Sequence, residues 1–322
     1  MSEKKFDVTA LGELLIDFTE NGTSGQGNPL FEANPGGAPC NVLAMLTKLG
    51  HKTAFIGKVG DDFFGKQLRE AITEVGIDSS CLFTDPEVHT TLAMVHTYPD
   101  GDRDFSFYRN PGADMMLNEE EIPEELIQNS NIFHFGTLSM THDGVRAATK
   151  KAISIAEASG ALISFDPNLR PPLWKSLDDA KEQVLYGLAH CNILKISDNE
   201  IQWLTGEDDY TDGVKWIRDR YSIPLILVSM GKEGSRAYYE DQIVEVKPFL
   251  QKDTIETTGA GDTFCGCVLH YICEHGLENL TKDNLIEMLT FANAAAARIT
   301  TRKGALRVMP EIEEIKAVIK NA

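Results

Sequence analysis

Short apolar runs alternate with amphipathic helical patterns along almost the whole chain. Residues 6–11 and 53–59 are apolar runs of strand length, and helical periodicities follow at 38–49 and 61–75. Pro39 near the start of the first periodicity and Gly50 at its end are common start and stop signals of a helix. Such alternation is typical of βα units around a mainly parallel sheet, so the sequence predicts an α/β fold.

The alternation continues through the second half of the chain without an obvious linker. It predicts a helix at 145–158, strands at 161–165, 192–196 and 225–229, a helix around Glu200, and late helices that begin near Gly261, Lys282 and Glu311. We therefore expect one domain, 1–322, in which helices flank a central sheet.

One region interrupts this pattern. Residues 90–99 and 104–109 are β-rich runs joined by Asp100-Gly101, a hairpin signal, and residues 21–34 are rich in Gly and Asn. Together they predict a small β-sheet inserted on one edge of the domain, formed by segments of about 13–34 and 90–110. A lid over a binding site is the functional interpretation. A decorative hairpin or a contact between subunits is an equally weighted alternative.

Charge and composition exclude several functional classes. The 322 residues carry a formal net charge of -19 and a sequence pI near 4.8, whereas binders of nucleic-acid backbones or anionic membranes need a net positive face. We therefore expect neither nucleic acid nor membrane as a partner. The first residues include no apolar run of signal length, which favours a cytosolic protein.

Several cysteine and histidine residues near the C-terminus have the residue types of a metal site. Cys265, Cys267, His270, Cys273 and His275 lie close together in sequence, but the segment has the pattern of an apolar helix, where residues two apart point in different directions. Six cysteines in a long chain without a signal peptide are expected to be reduced. Core cysteines are therefore the favoured interpretation.

The strongest chemical signal is the turn at 256–264, which runs from a β region into an apolar helix. Gly259, Ala260 and Gly261 allow the backbone N–H groups of a helix N-terminus to approach an anion closely. Asp262 at the same terminus is either a helix cap or a base that accepts the proton of an attacking hydroxyl. The residues alone leave both roles open.

At this turn the sequence resembles the ribokinase and fructokinase family of carbohydrate kinases, whose C-terminal signature matches residues 258–262. Residues 34–41 and 57–62 resemble its N-terminal signature, and 166–170 and 228–234 follow in the family's order. The resemblance implies a ribokinase-like α/β fold with a β lid. It also implies ATP-dependent phosphorylation of a sugar hydroxyl, magnesium delivered with ATP, and Asp262 as the base.

The fructokinases are the most similar branch, since residues 34–39, 109–114 and 169–174 look like their sugar-side and lid segments. The resemblance assigns sugar contacts to Asp17, Gly37, Asn41 and Arg109, positions near the phosphates to Asn168, Arg170 and Lys195, and the border of the nucleotide to Ser229, Gly231, Gly234, Ala292 and Asn293. Each of these positions also has a simpler explanation, such as a solvated charge or a hairpin turn.

Two positions depart from the family's pattern. Many relatives carry Asn where this chain has Ser197, so the assignment of magnesium rests mainly on Glu200, which matches the acid that organises the ion and its waters. Relatives usually have Asp where this chain has Glu256, and the longer side chain moves the carboxylate of a possible site for a monovalent cation such as K⁺.

Fructose is the expected sugar, and a possible homodimer through the lid is the expected assembly. The alternatives are a kinase for ribose or for a sugar acid such as 2-keto-3-deoxygluconate, and a catalytically silent binding protein on the same fold.

Overall fold

A central sheet with helices on both faces forms the body of the protein, and a second, smaller sheet adjoins it. The computed structural model describes residues 4–97 and 103–321. Its strands are β1 (Phe6–Leu11), β2 (Leu15–Thr23), β3 (Pro29–Gly36), β4 (Thr53–Gly60), β5 (Asp78–Asp85), β6 (Leu92–Thr97), β7 (Arg103–Tyr108), β8 (Ser130–Gly136), β9 (Leu162–Asp166), β10 (Ile193–Ser197), β11 (Leu225–Ser229), β12 (Ser235–Tyr239) and β13 (Gln242–Val246).

The α-helices alternate with the strands of the central sheet, as the sequence predicts. They are α1 (Ala38–Lys48), α2 (Phe63–Glu74), α3 (Glu124–Gln128), α4 (Asp143–Ala158), α5 (Leu177–His190), α6 (Asp198–Thr205), α7 (Tyr210–Arg218), α8 (Ala260–His275), α9 (Lys282–Ile299) and α10 (Ile312–Lys320). None of the helices in the described part of the chain is both long and apolar enough to cross a membrane.

The central sheet has the strand order β13-β12-β11-β10-β9-β8-β1-β4-β5. The seven neighbouring strands β11, β10, β9, β8, β1, β4 and β5 pair in parallel, whereas β12 and β13 add an antiparallel edge. The prediction of a mainly parallel sheet is confirmed. Between β1 and β8 the strand order reverses, because β4 and β5 follow on one side and β9 to β13 on the other. Open α/β sheets bind ligands beside such a point, at the carboxyl ends of the strands.

The core lies on both faces of this sheet, so its strands are apolar throughout rather than alternating. All eight residues of β4 are buried. On one face the rings of Phe133, Phe135 and Phe165 stack in sequence, with centroids 6.3 and 4.7 Å apart. Burial of each such side chain stabilises the fold by about 1.5–3 kcal/mol. On the other face α8 packs between α1 and α9.

Helices α1 and α8 approach each other unusually closely at Gly266. A Cβ atom at this position would lie 2.8 Å from the Cβ of Met45, so any larger residue would push the two helices apart. The four buried cysteines, Cys40, Cys191, Cys265 and Cys267, are unpaired and pack as small apolar residues, as expected. The close packing sets the position of α1 against the start of α8, where the site lies.

The small sheet has the order β3-β2-β6-β7. Strand β2 pairs antiparallel with β3 and parallel with β6, and β6 pairs antiparallel with β7. The inserted β-sheet is therefore present, and its strands fall largely within the predicted segments 13–34 and 90–110. The predicted turn at Asp100-Gly101 lies outside the described residues.

Candidate active site

A cleft of about 660 Å³ opens at the carboxyl ends of the parallel strands, beside the start of α8 and one side of the small sheet. Nine of the residues predicted from sequence line it, namely Asp17, Gly37, Asn41, Asn168, Arg170, Lys195, Gly259, Gly261 and Asp262. The volume is within the usual range for a small-molecule site. The strands and α8 thus bring residues from positions 17 to 262 into one cavity.

The glycine turn forms the first turn of α8 and one wall of the cleft. Gly259 precedes the helix with a left-handed φ of 74°, and a Cβ atom there would lie 2.5 Å from the Cβ of Ala305, so only glycine fits. The N–H of Ala260 donates to the carbonyl of Thr257 at 3.2 Å. Because the first N–H groups of a helix have no partner within it, those of Gly261 and Asp262 are available to an anion.

Asp262 is the third residue of α8, and within the described part of the chain no side chain caps this helix. Its Oδ2 instead accepts a hydrogen bond of 2.8 Å from the Nδ2 of Asn41, which reaches across from α1. The cap interpretation of Asp262 therefore does not describe its contacts. The carboxyl faces the cleft, as an acceptor for a hydroxyl proton must.

Asn41 has a second feature of a binding residue. Its side chain is buried, and its Oδ1 has no hydrogen-bond partner among the described residues, although Asn41 lines the cleft. A buried acceptor without a partner costs about 1–3 kcal/mol, so a ligand hydroxyl that donates to it would recover that free energy. The residue therefore offers a donor to Asp262 and an acceptor to whatever occupies the cleft.

The protonation of Asp262 is set by opposing influences. The net effect raises the pKa of this carboxyl from 3.8 to about 6: burial, the largest cause, and the negative charge of Asp166 raise it, whereas Asn41, Lys195 and Arg170 lower it. A carboxyl with this pKa is ionised at neutral pH. It is nevertheless a stronger base than an ordinary aspartate, as proton acceptance requires.

A buried ion pair forms the floor of the cleft. The Nζ of Lys195, on β10, lies 2.9 Å from the Oδ2 of Asp166, at the end of β9. Burial by itself lowers the pKa of Lys195, but Asp166 and Glu200 outweigh it and hold that pKa above its ordinary value. Lys195 is therefore permanently charged. It lies close to Gly261, where an added Cβ would be 3.3 Å from the Nζ.

The loop after β9 supplies a second cation and an amide. Asn168 adopts a left-handed φ of 43°, and its N–H donates to Oδ1 of Asp166 at 3.2 Å, which fixes the tight turn. Arg170 follows, half-buried, with its guanidinium donating to the carbonyl of Leu169 at 3.2 Å. The remaining donors of Arg170 suit a phosphate.

The small sheet contributes Asp17 and Leu15 from β2 and Phe107 from β7 to the opposite wall of the cleft. Asp17 pairs in register with Asn34 on β3, and its Oδ2 occupies the space that a Cβ on Gly36 would need, 2.4 Å away. The glycine therefore keeps room for this carboxylate within the sheet. The position of Asp17 at the cleft agrees with the predicted sugar side.

Glu13 is the main cleft residue that sequence reasoning missed. It is buried, follows β1, and accepts a hydrogen bond of 2.9 Å from the N–H of Ala38 at the start of α1. Burial raises its pKa to about 7, against the lowering effect of its backbone hydrogen bonds. The sequence did offer one sign of this residue, since Glu13 is the only acid within the apolar stretch 10–16. Leu138 and Asn199 also line the cleft and carried no such signal.

Arg109, predicted to contact the sugar, lies outside the residues that line the cleft. Its guanidinium forms a buried ion pair with Asp114, with Nη2 and Oδ2 2.7 Å apart. It also donates to the hydroxyl of Thr141 at 2.8 Å and to the carbonyl of Leu138 at 3.0 Å. These contacts support a structural role, in which Arg109 fixes the backbone behind Leu138. A direct sugar contact stays a prediction.

Glu200, the predicted magnesium residue, lies at the start of α6, beside the cleft rather than among its lining residues. Its Oε1 accepts from the N–H of Leu169 at 2.7 Å, and its Oε2 accepts from the N–H and the hydroxyl of Ser197, both at 2.8 Å. The carboxylate thus ties the loop after β9 to the end of β10. Carboxylate oxygens suit Mg²⁺, and Asp166 and Glu200 both act on Lys195.

The predicted nucleotide residues lie together at the β11 to β13 edge of the sheet, away from the cleft itself. Ser229, Gly231 and Gly234 form the turn between β11 and β12. Asn293 on α9, next to Ala292, accepts from the hydroxyl of Ser235 at 2.9 Å and donates to the carbonyls of Val246 and Lys247 at 3.1 and 3.2 Å. Its amide therefore holds this edge in place.

The other acid of the glycine turn, Glu256, points away from the turn. Its Oε1 accepts a hydrogen bond of 2.8 Å from the N–H of Gly304, and the backbone N–H of Glu256 donates to Thr300 at 3.1 Å. These bonds join the turn to the loop after α9. Whether the same carboxylate also serves a monovalent cation stays a prediction.

Comparison with known proteins agrees with this geometry. A probable fructokinase-4 from Arabidopsis thaliana is 38% identical over 315 residues, which cover 97% of this chain and 96% of the relative. A crystal structure of fructokinase with bound ATP from Xylella fastidiosa superposes with a TM-score of 0.88 at 28% identity and covers 98% of both chains.

A second solved structure is a fructokinase double mutant from Vibrio cholerae O395 bound to fructose, ADP and a potassium ion. It superposes with a TM-score of 0.88 at 29% identity, over 99% of this chain and all of the other. The model of the pfkB family of carbohydrate kinases matches residues 5–312. With this match over nearly the whole chain, and with the sheet, the glycine turn and the cleft in the arrangement described above, the protein belongs to the pfkB family of carbohydrate kinases.

Proposed function

We propose that this protein is a fructokinase, which transfers the γ-phosphoryl group of ATP to the terminal hydroxyl of fructose and produces fructose 6-phosphate and ADP. The observation that carries the proposal is the pair of Asn41 and Asp262 beside the N-terminus of α8. It places a proton acceptor, a free amide oxygen and anion-binding N–H groups together in one cleft. Relatives named fructokinases over almost the entire chain support the choice of sugar.

In the proposed step the sugar oxygen forms a bond to the γ-phosphorus, and the bond from that phosphorus to the bridging oxygen of ADP breaks. Asp262 accepts the proton of the hydroxyl as the new bond forms, because an alcohol holds its proton too tightly to lose it earlier. The chain's contribution is positioning and stabilisation of charge, which dominate phosphoryl transfer.

The proposed phosphate contacts are the N–H groups of Gly261 and Asp262 together with Lys195 and Arg170. The protein as a whole carries a charge of -19, so a polyanion is held by a local positive field rather than by the overall charge. Asp166 holds the Nζ of Lys195 at a fixed position but offsets its charge, so the backbone N–H groups and Arg170 are proposed to carry most of that field. Gly259 and Ala260 shape the turn that exposes the N–H groups.

Mg²⁺ enters this proposal with ATP. The carboxylates of Glu200 and Asp166 are the groups that would hold the ion or its waters, and the ion would neutralise charge on the phosphates. A monovalent cation such as K⁺ near Glu256 is a further proposal, supported by the potassium ion in the relative from Vibrio cholerae O395. The base and ribose of ATP would lie along the edge formed by Ser229, Gly231, Gly234, Ala292 and Asn293.

The contacts of the two arginines favour a neutral sugar over a sugar acid. A sugar acid needs a dedicated cation for its carboxylate. The guanidinium of Arg109 is already bonded to Asp114, Thr141 and Leu138, and Arg170 lies on the phosphate side. Asp17 and Asn41 remain on the sugar side and are suited to the hydroxyls of an uncharged hexose.

The small sheet is proposed to be the lid that excludes water, which otherwise competes as phosphoryl acceptor. It exposes Leu30 and Phe31 on β3 and Tyr108 on β7. These apolar side chains support the proposal of a homodimer through the lid, which size-exclusion chromatography with light scattering would test. The cytosolic location stays a prediction.

One experiment tests the proposed function. ADP release is measured with fructose, ribose, glucose and 2-keto-3-deoxygluconate under one set of conditions, and we expect the highest kcat/KM for fructose. A higher value for another sugar would refute the fructose assignment and leave a sugar kinase. Binding of sugar or ATP in calorimetry without ADP release for any sugar would instead support the silent binding protein.

A further inference from the structure

Three side chains with metal-binding groups meet at the end of α8 that is remote from the cleft. The Nε2 of His51, in the turn between α1 and β4, lies 2.7 Å from the Nδ1 of His270 and 3.9 Å from Oε1 of Glu274. All three donor atoms lie within 4.8 Å of one another. The cluster joins residues 219 positions apart in sequence, so it was not visible from the C-terminal segment alone.

His270 and Glu274 are four residues apart on α8, one turn of helix, so both side chains point to the same side. His51 completes the set from the opposite direction and is buried. The ring of His270 also packs against Phe291 of α9, with centroids 5.9 Å apart. Helix and turn geometry, rather than flexible surface chains, therefore hold the two imidazoles in position.

The donor set of two imidazole nitrogens and one carboxylate oxygen is a known zinc-binding combination. Donor atoms on a tetrahedral zinc ion, at bond lengths of about 2.0–2.1 Å, are roughly 3.3 Å apart. The distances of 2.7 and 3.9 Å bracket this value, so small rotations of the side chains suffice. Mg²⁺ is disfavoured, because it prefers oxygen ligands only.

A second observation points to the same chemistry. Oδ2 of Asp7 lies 3.6 Å from Nδ1 of His51, on the side of the ring opposite to the donor nitrogen, and it accepts a hydrogen bond of 2.9 Å from the N–H of Lys52. A carboxylate behind a histidine ligand orients the ring and directs its other nitrogen to the metal. Asp7 on β1 is held in the position that such a carboxylate needs.

Geometry also decides which ligands the protein supplies. Among the described residues, the group of donor atoms within 4.8 Å of one another consists of His51, His270 and Glu274, and it includes no cysteine sulfur. Three protein ligands leave the fourth position of a tetrahedral zinc ion to water.

We propose that His51, His270 and Glu274 bind a Zn²⁺ ion, with Asp7 orienting His51 and water completing a four-coordinate site. The ion would link the turn before β4 to the C-terminal half of α8, because it would have ligands from both. Helix α8 has 16 residues and is about 24 Å long, and Asp262 lies in its first turn. The site is therefore separate from the cleft.

The proposal is tested with protein stripped of metal by a chelator and then titrated with Zn²⁺ alone. We expect one equivalent to bind and the Tm to rise, because a ligand bound only by the folded state stabilises it. His51→Gln, His270→Gln and Glu274→Gln should each weaken binding tenfold or more. His275→Gln is the matched control, since His275 is exposed at the same helix end and should bind zinc normally.

A second measurement uses Co²⁺ in place of Zn²⁺. It is made on the unmodified protein, so it tests the site even if one variant fails to fold. Co²⁺ bound to the unmodified protein should give the visible absorption of a four-coordinate site without the charge-transfer band of a cysteine ligand, and Cys273→Ser should leave that spectrum unchanged. A thiolate band, binding that survives both histidine substitutions, or no binding at all would overturn the proposal. Sugar-dependent ADP release with Mg²⁺ should be the same with and without zinc, so this outcome is independent of the proposed kinase function.

Discussion

Replacing the half-buried charge of Asp262 should make the protein more stable and less active. Burial raises the pKa of this carboxyl from 3.8 to about 6, so the folded protein holds its proton more tightly than the unfolded chain does. Between these two pH values the folded state binds more protons. Stability therefore falls as pH rises through this window, and above about pH 6 the full cost of the ionised carboxylate is present.

The difference between 3.8 and about 6 corresponds to at most about 3 kcal/mol. Water in the cleft screens part of this charge, so we expect Asp262→Asn to gain about 1–2 kcal/mol at neutral or higher pH. The amide has the same shape, and its oxygen still accepts the hydrogen bond from Asn41. At the same time kcat should fall by about a hundredfold or more, because the proton acceptor is lost.

The assay is urea unfolding of the unmodified protein and of Asp262→Asn across a pH series, with kcat measured on the same preparations. The advantage of the variant should be largest above about pH 7 and should shrink as pH falls toward 4. Asp114→Asn is the matched control. It makes the same chemical change at a buried carboxylate that is paired with Arg109, and it should destabilise the protein by about 3–5 kcal/mol. If Asp262→Asn unfolds at lower urea than the unmodified protein above pH 7, the reasoning about its buried charge is refuted.

Three further predictions concern the cleft. Below about pH 6 the kcat should fall as Asp262 becomes protonated. Glu13 also has a raised pKa, so the same fall in kcat should be measured in Glu13→Gln and should persist there. If the fall disappears in that variant, it is caused by Glu13 and not by Asp262. Asp17→Ala should lower kcat/KM for fructose by about tenfold or more through loss of a polar partner for a sugar hydroxyl, and an unchanged value would remove Asp17 from the sugar site. Glu200→Gln should raise the magnesium concentration for half-maximal activity more than it raises the KM for the sugar, and superimposable magnesium titrations would contradict the metal assignment.

Much of the central sheet was predictable because its strands are buried on both faces. An apolar run bounded by polar residues marks such a strand, and the predicted limits of 6–11 and 225–229 coincide with β1 and β11. Strands with one exposed face carry a weaker signal. The sequence Asp78–Asp85 of β5 is mostly polar, and neither it nor β12 and β13 was predicted as a strand.

The site was predictable where its residues are adjacent in sequence and unpredictable where they depend on packing. The glycine turn is local, so its position at the start of α8 followed from the residues. The role of Asp262 did not, because a carboxylate at the third helix position can turn back to cap the helix or outward to a neighbour. Its direction is decided by Asn41, which is 221 residues away and reaches Asp262 only because α1 packs closely on α8.

Arg109 illustrates the opposite difficulty. Its positive charge near the lid made a ligand contact plausible, and Asp114 is only five residues later in sequence. The burial of both side chains depends on Thr141 and Leu138, which follow another strand. Sequence identifies the charge, but only the fold shows whether that charge is already neutralised.

The two walls of the cleft come from two different sheets. The small sheet supplies Leu15, Asp17 and Phe107, whereas the opposite wall comes from the central sheet and α8. We therefore expect that substitutions in the small sheet can alter which alcohol is accepted while the residues proposed for phosphoryl transfer stay unchanged. Variation confined to the small sheet is a way to change the sugar preference while the opposite wall is kept, and directed evolution of this protein should begin with randomised positions on β2 and β7.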